Sequence, residues 1–134
     1  MSVGAWEPQV SGRQEENQWE FDRDQLQRLI SVAASDNSLS ANLNKDDLKA
    51  SKLIRLPAQQ WLEESQHWDN EQLWQLIRFF TLAEMELTGW DAGAESAVIP
   101  LAKELRQRKA PLQKEQLLWI RQHSNNRYLP YGPL

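Results

Sequence analysis

The sequence predicts an all-α protein, a compact bundle of about five to six helices closed by an extended C-terminal strap. Apolar residues recur at steps of 3 and 4 along the chain, and no strict alternation of the kind a half-buried strand needs persists anywhere. The stretch Asp69–Thr88 is apolar on nearly every side. Leu73, Leu76, Ile77, Phe79, Phe80, Ala83 and Leu87 form one broad stripe, with Trp74, Leu82 and Met85 on another flank. A helix of that kind needs neighbours on several sides, so it belongs at the centre of the bundle.

The elements follow in order. Met1–Glu20 is rich in Glu, Gln, Gly and Ser without a sustained period, so residues 1–20 are expected as a flexible arm with Trp6 and Trp19 as its obvious anchors. Residues 21–134 are then one helical domain, with the strap at 124–134. A first helix is expected over Asp22–Ala34, with Leu26, Leu29, Ile30 and Ala33 on one face and acidic residues in the first turn, where the helix dipole favours them. The polar run Ser35–Asn44 reads as a loop, and Asp46–Leu53 as a short, marginal helix. Pro57 closes that element and opens a third helix to Ser65.

Asp69 is placed to cap the central helix and Gly89 to stop it. After the turn at Trp90–Gly93, a further helix runs to about Lys109 with Leu101, Leu105 and Ile99 inward. Pro100 either starts this helix or kinks it. Leu112–His123 is the last helix, carrying Leu117, Trp119 and Ile120, and the prolines and glycine beyond Ser124 exclude another. Three similar segments, beginning at Asp24, Glu71 and Glu115, suggest a helical repeat. They are also what amphipathic helices look like in general, so a compact bundle is preferred to a stacked array.

The 134 residues fit one domain with a real core. The absence of cysteine excludes disulfides, thiolate metal ligands and a cysteine nucleophile, and suits a reducing cytosol. No secretory core segment lies near Met1, and no apolar run is long enough for a membrane span, so a cytoplasmic protein without a membrane partner is expected. The net charge of −4 is uneven: residues 1–97 carry 8 Lys or Arg against 17 Asp or Glu, whereas residues 98–134 carry 7 against 2. The basic end suits the acidic part of its own fold, an acidic partner or a phosphate backbone.

Catalytic signatures are missing. The two histidines, His67 and His123, form no metal-binding pair, and no phosphate loop, nucleophile elbow or metal-activating motif occurs, so neither catalytic residue nor metal nor cofactor is expected. Glu84 is the polar residue that stands out, because steps of 4, 3 and 4 from Leu73 lead onto it through Ile77 and Phe80. A carboxylate in an apolar stripe needs a partner. Arg121, Arg127 or backbone amides near Asn125 are the expected ones, pinning the strap to the central helix, and a ligand pocket around Glu84 is the alternative. Of seven tryptophans, Trp61, Trp74 and Trp119 fit core or near-core packing, while Trp68 and Trp90 sit at helix junctions where they would border a groove. Most of their neighbours are acidic, amide or aliphatic, which disfavours base stacking.

The tail, with Arg127, Tyr128 and Tyr131 among its prolines, suits a strap that docks in an extended form. The function expected is protein binding by a non-catalytic adaptor or regulatory module, with a partner that includes a second copy of the chain as a homodimer. A nucleic-acid-associated module using residues 98–134 is the alternative. The candidate binding residues are Glu84, Trp68, Trp90, Arg121, Arg127, Tyr128 and Tyr131.

Overall fold

A computed structural model of the chain describes residues 21–35, 39, 43–87, 89–124, 126 and 129. The expected arm 1–20 and most of the strap, including Arg127, Tyr128 and Tyr131, lie outside the described residues. Within them the protein is all-α: α1 (Arg23–Ala34), α2 (Lys45–Leu48), a 3-10 turn at Ser51–Arg55, α3 (Ala58–Glu64) running into a second 3-10 turn at Ser65–His67, α4 (Asn70–Glu86), a third turn at Gly93–Glu95, α5 (Val98–Gln107) and α6 (Lys114–His123).

α4 occupies the centre and packs against α1, α5 and α6, while α3 packs on α5. Its start is fixed chemically. Asp69 accepts the Gln72 amide at 2.7 Å, and the Gln72 side chain accepts the Asp69 amide at 3.0 Å, so two otherwise orphaned donors are satisfied reciprocally. The helix ends at Leu87, and Gly89 follows at φ +86°, a conformation open to glycine at little cost. Leu73, Leu76, Ile77, Phe79, Phe80 and Ala83 are fully buried, as the apolar stripe requires.

An aromatic cluster fills the core between the helices. Phe80 meets Trp61 edge-on at 5.4 Å and Phe79 at 5.3 Å, and Phe79 meets Trp90 at 5.7 Å. Buried indoles need acceptors for their N–H groups. Trp61 donates to the Leu53 carbonyl at 2.9 Å and Trp90 to the Leu48 carbonyl at 3.2 Å. Both acceptors lie in the weakly helical stretch 48–55, which explains why that stretch holds its place despite a sequence too poor for a full helix. Arg55 adds bonds to the Gly89 and Asp91 carbonyls at 3.2 and 2.5 Å. The expected helix at Asp46–Leu53 is therefore a single α turn followed by a 3-10 turn.

Two other expectations are corrected. The run Ser35–Asn44, read as a polar loop, contributes Leu39 and Leu43 to the core. Pro100 does not start α5; it sits in the first turn behind Val98 and Ile99, where the amide it lacks has no intrahelical acceptor to lose. The buried Ser96 hydroxyl accepts the Val98 amide at 3.2 Å, and the Ala97 amide donates to the Ile54 carbonyl at 2.9 Å, tying the start of α5 to the first 3-10 turn.

Asp47 is a charged group almost without solvent exposure. Burial alone would raise its carboxyl, but hydrogen bonds from Arg28 at 2.9 Å and Gln25 at 3.1 Å, the Arg28 charge and a backbone bond from Asn44 outweigh it and hold the group below the usual aspartate range. In the unfolded chain the same carboxyl titrates near about 3.9. The stabilisation is thus complete above that value and is lost as the pH falls through the lower folded value. The stability gap between wild type and Asp47→Asn is expected to be constant near neutrality and to shrink in acid, below about pH 4. Denaturant titrations at several pH values measure this, and a gap that stays constant down the acid limb contradicts it.

Candidate functional site

The flank of α4 turned away from the aromatic core is unlike an ordinary solvent face. Trp74, Arg78, Leu82 and Met85, spaced 4, 4 and 3, fall on one side of the helix. The first three are half-buried, and Met85 is 50% exposed. α6 lies against this flank, anchored by its one fully buried side chain, Ile120, while Leu117, Leu118 and Trp119 stay half-buried. The reciprocal cap at its start has the Gln113 amide donating to Gln116 at 2.7 Å, which sets where α6 begins and which side chains face α4.

The two helices build a ledge of stacked rings. Trp74 meets Trp119 edge-on at 5.7 Å, and the His123 ring stacks on Trp119 at 4.3 Å with 21° between planes. The Arg78 guanidinium lies 5.2 Å from the centre of the Trp119 ring. It donates to the Gln75 side chain at 3.1 Å, and among the described residues it has no ion-pair partner. His123 Nδ1 lies 2.8 Å from the Trp119 carbonyl. A carbonyl can only accept, so Nδ1 carries a proton and donates it to the Trp119 carbonyl. A cleft of about 190 Å³ continues the ledge past Trp74, walled by Leu105, Ala110 and Pro111 and rimmed by Glu71, Gln113 and Gln116. Trp, Met and Arg are among the residue types enriched at protein interfaces in general.

The residues singled out in the sequence fall elsewhere. Trp90 is no groove edge; it is 1% exposed in the core, with its indole N–H bonded as above. Trp68 is buried as well, donating at 3.1 Å to Glu64, which also receives a two-pronged ion pair from Arg23 at 2.9 and 3.1 Å. Glu84 is half-buried and has hydrogen-bond partners, none of which among the described residues is a guanidinium group. It accepts the Ala92 amide at 2.8 Å and the Asn126 side-chain amide at 3.2 Å to each oxygen, and that amide also donates to the Gly93 carbonyl at 2.9 Å. Arg121 is exposed, and Arg127 is outside the described residues.

Glu84 therefore joins the loop after α4 to the segment after α6. Glu84→Gln keeps an acceptor but loses the charge, so a loss of about 1 kcal/mol is expected. Its effect and that of Asn126→Ala should sum to more than the double variant loses, because the two share one bond network. Additive losses in denaturant titrations would show that the two groups act independently.

Sequence reasoning assigned Trp74 and Trp119 to packing and passed over Arg78. The signal was present in the i, i+4 pairs Trp74/Arg78 and Trp119/His123, each of which places a ring beside a cationic or titratable group. Among the described residues no group of three or more His, Cys, Asp or Glu side chains is placed to hold a metal ion, and no helix is long and apolar enough to cross a membrane. The chain matches no family model, no curated protein and no solved structure.

Proposed function

We propose that the protein is a non-catalytic cytoplasmic module that binds another protein, and that the α4–α6 ledge is its contact surface. The observation that supports this reading is Arg78: a guanidinium laid on a half-buried tryptophan, with no carboxylate of its own among the described residues. The fold's other well-placed arginines, Arg23, Arg28 and Arg108, are all paired with buried carboxylates. An arginine oriented by stacking but left without an acid is prepared for a carboxylate supplied from outside. Trp74, Trp119, Leu82 and Met85 supply apolar area around it.

The exposed cations of the last third, Lys103, Arg106, Lys109, Lys114 and Arg121, support the nucleic-acid reading as the alternative. Capture from the native cell separates the two, using the tagged full chain and an Arg78→Ala/Trp119→Ala variant whose melting is checked beforehand. The protein-binding reading expects one or more proteins retained by the wild type and lost by the variant, with modest salt sensitivity. Retention of nucleic acid that falls steeply with salt and ignores the two substitutions would replace it.

A further inference from the structure

The uncovered strip of α4 carries two opposite charges in a fixed order. Glu71, Trp74, Arg78 and Leu82 follow one another at steps of 3, 4 and 4, so they share one side of the helix. Gln75 ties the two charges into a line: its amide donates to Glu71 at 2.8 Å, and its side-chain oxygen accepts from Arg78 at 3.1 Å. Glu71 and Arg78 themselves lie two turns apart, about 10 Å along the axis, too far to pair with each other. Each has bonding capacity beyond Gln75, since a carboxylate offers two oxygens and a guanidinium five N–H groups. The start of α6, which borders the cleft with Glu71, leaves the order unchanged, because the exposed Lys114 and Glu115 offset each other there.

A strip with an acid at one end and a cation at the other is complementary to itself. A twofold axis crossing the helix between Trp74 and Gln75 runs two copies of α4 antiparallel and sets Glu71 of each against Arg78 of the other. A parallel arrangement would set like charge on like charge and is disfavoured. The antiparallel one places half-buried Trp74 at the centre, where an aromatic anchor contributes most, and lets Leu82 and Met85 extend over the start of the second copy's α4. α4 and α6 side by side give a face about 25 Å long and about 20 Å wide. That is below the roughly 800 Å² per partner of a standard interface, so the association is reversible, with a dissociation constant in the micromolar range or weaker.

We infer that two copies of the chain associate through this strip as an antiparallel twofold dimer, with Glu71 of each copy paired to Arg78 of the other, and that any external partner competes with the second copy for the same face. The inference rests on the proposed use of the ledge as a contact surface. A wild type that stays monomeric would overturn the dimer alone, whereas loss of the ledge reading itself is decided by the capture experiment.

Equilibrium sedimentation of the full chain from about 5 µM to about 500 µM tests it. The apparent mass of the wild type is expected to rise from 15.7 kDa toward twice that value. Arg78→Glu makes the strip acidic at both ends and Glu71→Arg makes it cationic at both, so each variant alone should remain monomeric. An equimolar mixture of the two should dimerise again, because both cross-pairs are then of opposite sign. Circular dichroism checks that the variants are folded. Where one is not, Arg78→Gln or Glu71→Gln takes its place and is expected to weaken the dimer about tenfold or more. A wild type monomeric across the whole range overturns the inference, as does a dimer indifferent to these substitutions. Folded single variants whose mixture stays monomeric overturn it equally, since the loss would then not lie in the pairing of Glu71 with Arg78.

Discussion

Replacing Phe80 with alanine is expected to lower the unfolding free energy by about 3–5 kcal/mol, the range for deleting a buried aromatic side chain. Phe80 is fully buried at the middle of α4, and its ring touches Trp61, Phe79 and Trp90 at centroid distances of 5.4, 5.3 and 6.5 Å. Those rings belong to three parts of the chain, α3, α4 and the turn before α5, so the vacancy cannot close by the shift of one side chain. Met85→Ala on the same helix removes a side chain that is half exposed and should cost about 0.5 kcal/mol or less. Urea titration of both variants checks the contrast. Equal losses would mean that α4 is not the centre of the bundle.

Arg108→Met is expected to cost a similar amount, about 3–5 kcal/mol, because it removes one partner of a buried pair. Glu104 is 5% exposed and receives Arg108 Nε at 2.8 Å. The same guanidinium donates to the Trp68 carbonyl at 2.9 Å, the Asn70 side chain at 3.1 Å and the Ser65 carbonyl at 2.5 Å. It satisfies carbonyls where the turn after α3 ends and holds that turn to α5 at the start of α4. The double variant Arg108→Met/Glu104→Leu should recover part of the loss, since it removes the stranded carboxylate while the carbonyls remain unsatisfied. If the double variant is no more stable than Arg108→Met alone, the cost lies in the carbonyls and not in the buried charge.

Much of this bundle was legible in the sequence because periodicity and capping are local. Asp69 and Gly89 marked the ends of the central helix, and the stripe through Leu73, Ile77 and Phe80 marked its buried side. Leu39 and Leu43 were hidden because single leucines in a polar run carry no period. The roles of Trp68 and Trp90 depend on contacts that sequence distance conceals: Trp90 reaches back 42 positions to the Leu48 carbonyl, and the Glu64 beneath Trp68 is held by Arg23, 41 positions away. The ledge was missed for the same reason. Trp74 and Trp119 each resemble core residues, and only the packing of α6 on α4 shows that the pair is left half-open with an arginine across it. Glu84 was seen to need hydrogen-bonding partners, and among the described residues these are the Ala92 amide and the Asn126 side chain, which only the packing of the following loops brings within 3.2 Å.

The claim that the ledge binds a partner through a stacked arginine is tested most directly by a charge-conserving substitution. Arg78→Lys keeps the positive charge and the length of the side chain but loses the planar fork that lies on Trp119 and accepts a carboxylate two-pronged. The measurement is calorimetric titration of the full-length chain with the protein recovered by capture, comparing wild type with Arg78→Lys at equal melting temperature. The expected result is affinity reduced by about tenfold or more, equivalent to about 1.4 kcal/mol. Unchanged affinity for Arg78→Lys would place the contact surface elsewhere on the protein.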